Sequence, residues 1–504
     1  MIKIIFAPIM KIISKLNKEI VALGFLIFLG LVFRLYLWSH LGLNTLSWDE
    51  SAHSLAGLAL AKTALHGFAP AYLIKFFNNY WAATGSLFFY PYGYTALSAL
   101  SFLFFGFNQL AARIPGMGFS ILIIFAVYLL AKKMFGKNAA LLAAFFAAIN
   151  SAFIIWGGQA MVDLPMACLM IFSIYFCLQA LSTGKMPYWL LAGVFAGLAG
   201  LMKPPGFIVY PFLAFLVASF QGLKSLFKKP FVGLTAVVFL FFFSYFGLGL
   251  LAFFVLSKLG IISEATGLHI FKAIFHWFSN SLTYAEAIDP SYKTLAGWWF
   301  YLKILPSQLG GWPVLILGFL GVLKLWRDKN RNNFYLVAGY IIFIYLAFTF
   351  LNNKDTRYTI PYLPFFCLLA ALGLDFFTSL FKKNQVIYIL PAMLFLTGAV
   401  AFNNLAAFGK INASDIGLES AVKIITQSKP GLVVAAKESN GLNVQSLSFY
   451  LAINDPELQY SVYWPDKFNE ADYAIASHAE DVNLPGAKLI FSSKNIYLFE
   501  VTKK

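Results

Sequence analysis

The sequence predicts an all-α polytopic membrane protein that ends in a small α/β domain. The chain of 504 residues is 60% hydrophobic and 18% aromatic, a composition typical of proteins that cross a bilayer many times. After residue 403 the long apolar stretches give way to a predicted helix, Ala413–Ser428, and to short predicted strands: Leu432–Ala436, Tyr473–Ala476, Leu489–Phe491 and Tyr497–Val501. We therefore expect a transmembrane domain over residues 1–402 and a soluble domain over residues 403–504.

Eleven apolar stretches are candidate membrane spans, since about 20 helical residues cover one hydrocarbon core. The run 93–107 is also apolar, but counting it as a span would place Lys132, Lys133 and Lys137 outside the cell. Because basic residues favour the cytoplasmic side, we predict that this run lies in the outer interface. The predicted spans are 20–39, 114–131, 139–157, 164–182, 187–202, 206–221, 231–256, 309–326, 333–351, 358–381 and 386–402.

This arrangement places the N-terminus in the cytoplasm and the C-terminal domain on the outer side of the cell membrane. The first span is too long for the core of a cleaved signal peptide, so we expect it to be retained. Two outer loops are large, at about 40–113 and 257–308. Of the ten carboxylates in residues 1–402, only Glu19, Asp328 and Asp375 fall away from the outer side. Charges near bilayer depth are costly, so this distribution predicts a functional site on the outer face.

Charge and cysteine content argue against other classes of protein. Of the net charge of +16, residues 1–402 carry 28 Lys/Arg against 10 acids, whereas residues 403–504 carry 9 against 11. Excess cations in a membrane region are typical of cytoplasmic loops that contact anionic lipids, so we expect no nucleic-acid partner. The three cysteines lie inside predicted spans, which indicates neither a disulfide framework nor a metal cluster: Cys168, Cys177 and Cys367.

The pair Asp49-Glu50 follows the first predicted span by about ten residues. Ser47 and Glu50 fit a capping box, with Ser47 as N-cap and Glu50 at the third helical position. On the helix that follows, Asp49 and His53 share a face, while Glu50 points about 100° away. Asp49 is therefore the candidate catalytic carboxylate, although the helix dipole also favours an acidic residue there. Glu50 and His53 are candidate binding residues; the structural alternative for Glu50 is capping alone.

Asp163 lies where the third predicted span emerges on the outer side. It is a candidate substrate-binding residue, and its structural alternative is to cap the next helix, with Pro165 in the first turn. The two interpretations are compatible, because a capping carboxylate can still reach a site.

Three outer cations, Lys203, Arg357 and Arg113, are candidates for binding an anion. Arg357 precedes Tyr358 at the start of a predicted span, where the helix dipole disfavours a cation, so a bound anion would explain it better. A guanidinium also presents a planar fork of donors that suits phosphate. Each cation alone has the alternative of anchoring in the lipid headgroups.

Together these residues resemble the membrane glycosyltransferases of the GT-C fold, which use sugars linked to lipid phosphates. The group includes the protein O-mannosyltransferases and the aminoarabinose transferases of lipid A. No single motif is strongly specific, but their order and membrane placement are. The matching pieces are Trp48–His53, Phe105-Gly106 with Ala112–Pro115, Tyr128–Gly136, Asp163, Gly193–Lys203 and Arg357–Pro364.

The resemblance implies an inverting transfer from a polyprenyl (dolichyl or undecaprenyl) monophosphate sugar to a protein, lipid or glycan acceptor. Asp49 would activate or orient the acceptor. Arg357, with Tyr358 beside it and with Lys203 and Arg113 in support, would bind the leaving phosphate. Asp163, with Glu50 and His53 nearby, would bind sugar or acceptor hydroxyls.

A divalent metal is not favoured, because related oligosaccharyltransferases pair the first-loop acid with a second-loop Asp-x-Asp. Here the position two residues after Asp163 is Pro165, so the oxygen ligands fall short of an octahedral site. We expect no cofactor. The alternative function is a lipid or sugar transporter or flippase, but such proteins place charges at mid-membrane and show repeated halves, and neither feature is visible here.

Overall fold

The computed structural model describes residues 17–41, 46–80, 91–258, 293–329, 331–351, 354–412, 417–435, 442–463, 470–482, 484, 486–493 and 496–502. Much of the predicted outer loop 257–308 and part of the loop 40–113 lie outside these residues. The α-helices of the described residues are α1 (Lys18–Leu41), α2 (Trp48–Leu65), α3 (Pro70–Asn79), α4 (Tyr92–Phe105), α5 (Gln109–Phe135), α6 (Lys137–Ala148), α7 (Ser151–Gly157), α8 (Asp163–Thr183), α9 (Met186–Met202), α10 (Val209–Gln221), α11 (Lys229–Lys258), α12 (Leu295–Leu309), α13 (Trp312–Arg327), α14 (Arg331–Thr349), α15 (Leu363–Thr378), α16 (Lys383–Asn412), α17 (Leu418–Thr426) and α18 (Val444–Asn454).

The described helices account for all eleven predicted spans. Six are long and apolar enough to cross a membrane, two bent pairs each make one further candidate, and four are shorter apolar helices. One of the four is α4, the segment predicted to lie in the interface, and the other eleven segments coincide with the predicted spans. The chain is an integral membrane protein. The sidedness of its loops and the domain boundary at 402/403 stay predictions.

One predicted span is bent, and another begins at a sharp bend from the helix before it. The span 139–157 consists of α6 and α7, which meet at 52°, and Asn150 at the break caps α7 by accepting a hydrogen bond from Phe153 N. The helices α12 and α13 meet at 110°. The span predicted at 358–381 contains a helix only from Leu363, since Thr356–Thr359 form a 3-10 turn.

The described C-terminal residues, 417–502, form a five-stranded sheet with the order β2-β1-β3-β5-β4. Strand β1 pairs in parallel with β2 and β3, whereas β5 is antiparallel to β3 and β4. The sequence predicted β1, β3, β4 and β5 but not β2 or α18. The helix predicted at 413–428 is observed as α17. Residues 413–416 and Ala436 lie outside the described residues. The strands are β1 (Leu432–Ala435), β2 (Ser461–Tyr463), β3 (Tyr473–Ala476), β4 (Ala487–Ser493) and β5 (Ile496–Val501).

Four connections bring the candidate residues together. They are the start of α2, the segment 157–163 between α7 and α8, the break after α9 at Lys203, and the 3-10 turn before α15. The segment 157–163 runs against α5 so closely that a Cβ on Gly116 would lie 2.4 Å from the carbonyl oxygen of Gln159. A glycine in α5 therefore permits this approach.

Candidate active site

The helix α2 begins as predicted, and its two adjacent acids contact different partners. Glu50 accepts a hydrogen bond from the Ser47 backbone N–H at 3.1 Å, which is the reciprocal half of a capping box. Its side chain is only 4% exposed, whereas that of Asp49 is 32% exposed. Residues one position apart on a helix point in different directions, so the enclosed acid and the accessible acid lie side by side.

Glu50 forms a buried ion pair with Arg113 of α5. The Arg113 Nε and Nη2 atoms donate to the two carboxylate oxygens at 2.9 and 3.3 Å, and the Ala160 N–H donates to the same carboxylate at 3.0 Å. The Arg113 side chain is 6% exposed. Both charges are therefore satisfied within the protein, which indicates that this pair ties α2 to α5 and to the segment 157–163.

Asp49 forms an ion pair with Arg357, whose Nη1 lies 2.7 Å from the Asp49 Oδ2 atom. Arg357 also donates to Asp355, from Nε at 2.7 Å and from Nη2, while the Asp355 Oδ1 atom accepts from the Arg357 backbone N–H. The guanidinium thus contacts two carboxylates at once. Burial raises the pKa of Asp49, but the charge of Arg357 and its hydrogen bond outweigh this effect, so the pKa lies below its ordinary value.

The segment 157–163 links the two ion pairs. Arg357 lies over the ring of Trp156 at 5.7 Å and donates to the sulfur of Met161 at 3.2 Å. The preceding residue, Ala160, donates to Glu50. Because adjacent residues of one short segment contact both pairs, the position of Arg357 depends on the packing that holds Glu50.

Asp163 and Lys203 form a third ion pair, which is less exposed than the pair of Asp49 and Arg357. The Lys203 Nζ atom donates to Asp163 Oδ1 at 2.7 Å and lies 4.7 Å from the ring centre of Tyr358, the neighbour of Arg357. The Asp163 side chain is 1% exposed, and within the described structure its second oxygen, Oδ2, has no hydrogen-bond partner. Asp163 is the first residue of α8 and does not cap it, since Val162 occupies the N-cap position.

His53 lies one turn after Asp49 on the same face of α2, as predicted. It is 4% exposed, and its ring centre lies 6.0 Å from that of Tyr94. Burial lowers the pKa of His53 to about 4, although the nearby charges of Asp49 and Asp163 act in the opposite direction. The imidazole is therefore neutral at physiological pH.

The structure brings together Asp49, His53, Asp163, Lys203, Arg357 and Tyr358, but it gives Arg113 and Glu50 a separate pairing. Arg113 was predicted to contact an anion, yet its guanidinium is occupied by Glu50. Three residues that contact Arg357 were not predicted to belong to the site: Asp355, Trp156 and Met161. Asp355 lies two positions before Arg357 in the sequence, and this proximity could have indicated that it belongs to the site. Among the described residues, no group of three or more His, Cys, Asp or Glu side chains is arranged to hold a metal ion.

Comparisons with known proteins agree with this architecture. Residues 90–247 match the family described as dolichyl-phosphate-mannose-protein mannosyltransferase. This segment includes Arg113, Asp163 and Lys203 but neither Asp49 nor Arg357. An uncharacterized protein from Aquifex aeolicus (strain VF5) is 26% identical over 284 residues, which are 56% of this chain. The chain spans about half the length of that curated relative, 51%.

Two solved structures share the fold over nearly the whole chain. ArnT from Cupriavidus metallidurans, bound to undecaprenyl phosphate, has a TM-score of 0.63 and 14% identity, with 95% of this chain and 98% of that chain covered. The archaeal oligosaccharyltransferase AglB from Archaeoglobus fulgidus, in complex with an inhibitory peptide and a dolichol-phosphate, has a TM-score of 0.55 and 14% identity, with 92% and 69% covered. The chain therefore has the GT-C fold of the membrane glycosyltransferases.

Proposed function

We propose that the protein is an inverting glycosyltransferase that moves a sugar from a polyprenyl monophosphate to an acceptor on the outer face of the membrane. The acceptor is a hydroxyl or amine of a protein, lipid or glycan. One observation carries the proposal: the accessible acid Asp49 lies 2.7 Å from Arg357, and the second acid–cation pair, Asp163–Lys203, lies beside them. Such a site offers both a base and cations for a phosphate leaving group.

In the proposed reaction, the acceptor oxygen or nitrogen bonds to the anomeric carbon while the bond from that carbon to the phosphate oxygen breaks. The acceptor proton passes to the Asp49 carboxylate. The electron pair of the broken bond remains on the polyprenyl phosphate, which gains one negative charge. Because this charge grows in the transition state, cations aimed at it lower the barrier, and losing one such donor typically costs a few kcal/mol.

Arg357 and Lys203 are the proposed phosphate-binding cations. The Arg357 side chain is 13% exposed and the Lys203 side chain is 16% exposed, so both are largely buried but still reach solvent. Low exposure strengthens their interaction with an incoming phosphate, because screening by water is reduced. We assign charge neutralisation to these side chains rather than to a divalent metal, since each nearby acid already contacts one of them.

Asp163 is proposed to bind a hydroxyl of the donor sugar or the acceptor. Its Oδ1 atom accepts from Lys203, while Oδ2 is buried and lacks a partner in the described structure. A buried acceptor without a donor is costly, and a sugar hydroxyl would satisfy it. His53 is neutral and buried and interacts electrostatically with both ion pairs, so we propose that it exchanges hydrogen bonds with the same ligand. Glu50 and Arg113 are proposed to position the site by holding α2, α5 and the segment 157–163 together.

The experiment compares Asp49→Asn with Asp375→Asn in membranes from a strain that lacks the chromosomal copy. Asp375 also pairs with a lysine, Lys324, but lies near the far end of α15 from Arg357, so it is a matched control. The membranes receive radiolabelled undecaprenyl phosphate linked to mannose, glucose or aminoarabinose, and released undecaprenyl phosphate is measured.

We expect wild type and Asp375→Asn to release undecaprenyl phosphate from at least one donor. Asp49→Asn should slow release about 100-fold or more, because it removes the proton acceptor while keeping the shape of the side chain. No release by wild type from any donor would reject the proposed reaction. Full activity of Asp49→Asn would reject the role assigned to that residue.

A further inference from the structure

Helix α18 of the C-terminal region packs against α2, the helix whose first turn carries Asp49. The Leu46 N–H, two residues before the start of α2, donates to the hydroxyl of Tyr450 at 3.1 Å. The same hydroxyl donates to the side chain of Gln109 at 2.8 Å. Tyr450, on α18, is 1% exposed. One hydroxyl from the C-terminal region therefore joins the start of α2 to the start of α5, four residues before Arg113.

A second contact holds the C-terminal end of α2. Lys62, in the last turn of α2, is 4% exposed and donates to the carbonyl oxygens of Ala452 and, at 3.1 Å, Asp455. Its ammonium also lies 5.5 Å from the ring centre of Phe107. Burying an ammonium is unfavourable unless its donors are satisfied, so these carbonyls fix the end of α2 against the C-terminal region.

The residue at the start of the loop after α18, Asp455, forms further hydrogen bonds through its side chain. Asp455 is 3% exposed. Its carboxylate accepts hydrogen bonds from the Tyr80 hydroxyl at 2.6 Å and from the backbone N–H groups of Gln459 and Tyr460, each at 2.9 Å. Tyr80 also forms an isolated parallel bridge with Val462 of β2. The first outer loop thus adjoins the sheet itself, so a shift of the sheet would be transmitted to α2.

We infer that the C-terminal region positions the catalytic helix, with Tyr450 and Lys62 as the two positioning residues. This inference rests on the proposed function of Asp49. Within the described structure the hydrogen bonds of both residues go to groups other than Asp49, Asp163, Lys203 and Arg357. Both residues nevertheless fix α2, and Asp49 lies in its first turn. Reactions of this kind are sensitive to placement: a displacement of about 1 Å can lower the rate about 100-fold. The C-terminal region would then contribute to turnover without contacting substrate.

The test compares Tyr450→Phe and Lys62→Met with the control Tyr473→Phe in the full-length protein. Tyr473 is matched in burial, at 2% against 1% exposed, and its hydroxyl donates to the Lys429 carbonyl within the C-terminal region at 2.9 Å. Two quantities are measured: hydrogen–deuterium exchange of peptides covering Trp48–Leu65, and kcat and KM with the donor that wild type uses.

We expect faster exchange over Trp48–Leu65 in Tyr450→Phe and Lys62→Met but not in Tyr473→Phe. We also expect kcat to fall about tenfold in the first two variants, with KM for the donor within about twofold of wild type, because the phosphate-binding cations lie on other elements. If these residues only stabilised the fold, exchange and kcat in all three variants should change in proportion to the stability that each variant loses.

The outcomes separate the two proposals. Unchanged exchange over Trp48–Leu65 in both positioning variants overturns the inference, whatever the activity. Faster exchange with unchanged kcat also overturns it, because α2 would then be loosened without consequence for turnover. If wild type releases no polyprenyl phosphate, the proposed function fails, and the exchange result still decides whether the C-terminal region orders α2.

Discussion

Removing either member of the buried pair Glu50–Arg113 should destabilise the protein more than removing both. In Arg113→Met, the Glu50 carboxylate keeps the N–H groups of Ser47 and Ala160 but loses its counter-charge at a site where it is 4% exposed. Breaking one side of a buried pair typically costs about 3–5 kcal/mol, because a charge is left uncompensated. Glu50→Gln removes the carboxylate that pairs with the guanidinium and should cost a similar amount.

The double variant, Glu50→Gln with Arg113→Met, contains neither charge. Its amide oxygen can still accept from the backbone N–H groups, and methionine fills much of the volume of the arginine side chain. Since replacing a whole buried pair is often neutral, we expect the double variant to lose less stability than either single variant. The coupling free energy should be about 3 kcal/mol or more.

The assay is equilibrium unfolding in dodecyl maltoside micelles titrated with SDS and followed by tryptophan fluorescence. Additive losses in the double variant would refute the argument that the pair is buried and mutually compensating. Asp49→Asn is the contrasting variant: its acid is 32% exposed, so the pair with Arg357 should contribute about 1 kcal/mol or less to stability. Adjacent acids would then differ, one acting mainly on folding and the other on turnover.

Two further predictions concern charge in the site. Asp355→Asn keeps an oxygen that can accept from the Arg357 backbone N–H but removes the negative charge beside the Arg357 guanidinium. Undecaprenyl phosphate should then bind at least about threefold more tightly, because it competes with one carboxylate fewer. Weaker binding in a fluorescence titration would contradict the proposed role of Arg357. His53 has a folded pKa of about 4 against 6.5 unfolded, so the unfolded state gains the proton first and stability falls between pH 6.5 and 4. His53→Gln should lose about 3 kcal/mol less than wild type over that range in the SDS titration; equal losses would show that His53 is not buried as a neutral imidazole.

Local patterns were sufficient to locate the candidate acid and its helix. The capping signal at Ser47 and Glu50, and the spacing of Asp49 and His53, depend on residues within one helical turn, and the structure has α2 starting at Trp48. The eleven predicted spans likewise depend on hydrophobicity within short windows, and each coincides with a described helix or bent pair. These properties need no knowledge of distant parts of the chain.

The partners of these residues could not be predicted in the same way. Arg113 resembled the other outer cations in sequence, and only the tertiary arrangement that brings the start of α5 near the start of α2 places it on Glu50 rather than in the site. The contact between Leu46 and Tyr450 joins residues 404 positions apart. By contrast, α18 was predictable, because Asn443 and Ser446 form a capping box at its start.

The charges of the site bear on how donor binding and base activation would be coupled in the proposed reaction. The site contains three carboxylates, of Asp49, Asp163 and Asp355, and two cations, Arg357 and Lys203. Because His53 is neutral, these side chains together carry a net charge of −1 when all five groups are ionised. A donor phosphate must therefore compete with carboxylates for the guanidinium.

As the phosphate takes donors from Arg357, Asp49 loses the partner that holds its pKa below the ordinary value. Its basicity then rises at the moment when an acceptor proton must be removed. A free enzyme would hold Asp49 as a weak, occupied base, which suppresses reaction with water before the donor arrives. Donor binding would thus convert a resting ion pair into a proton acceptor facing a phosphate held by two cations.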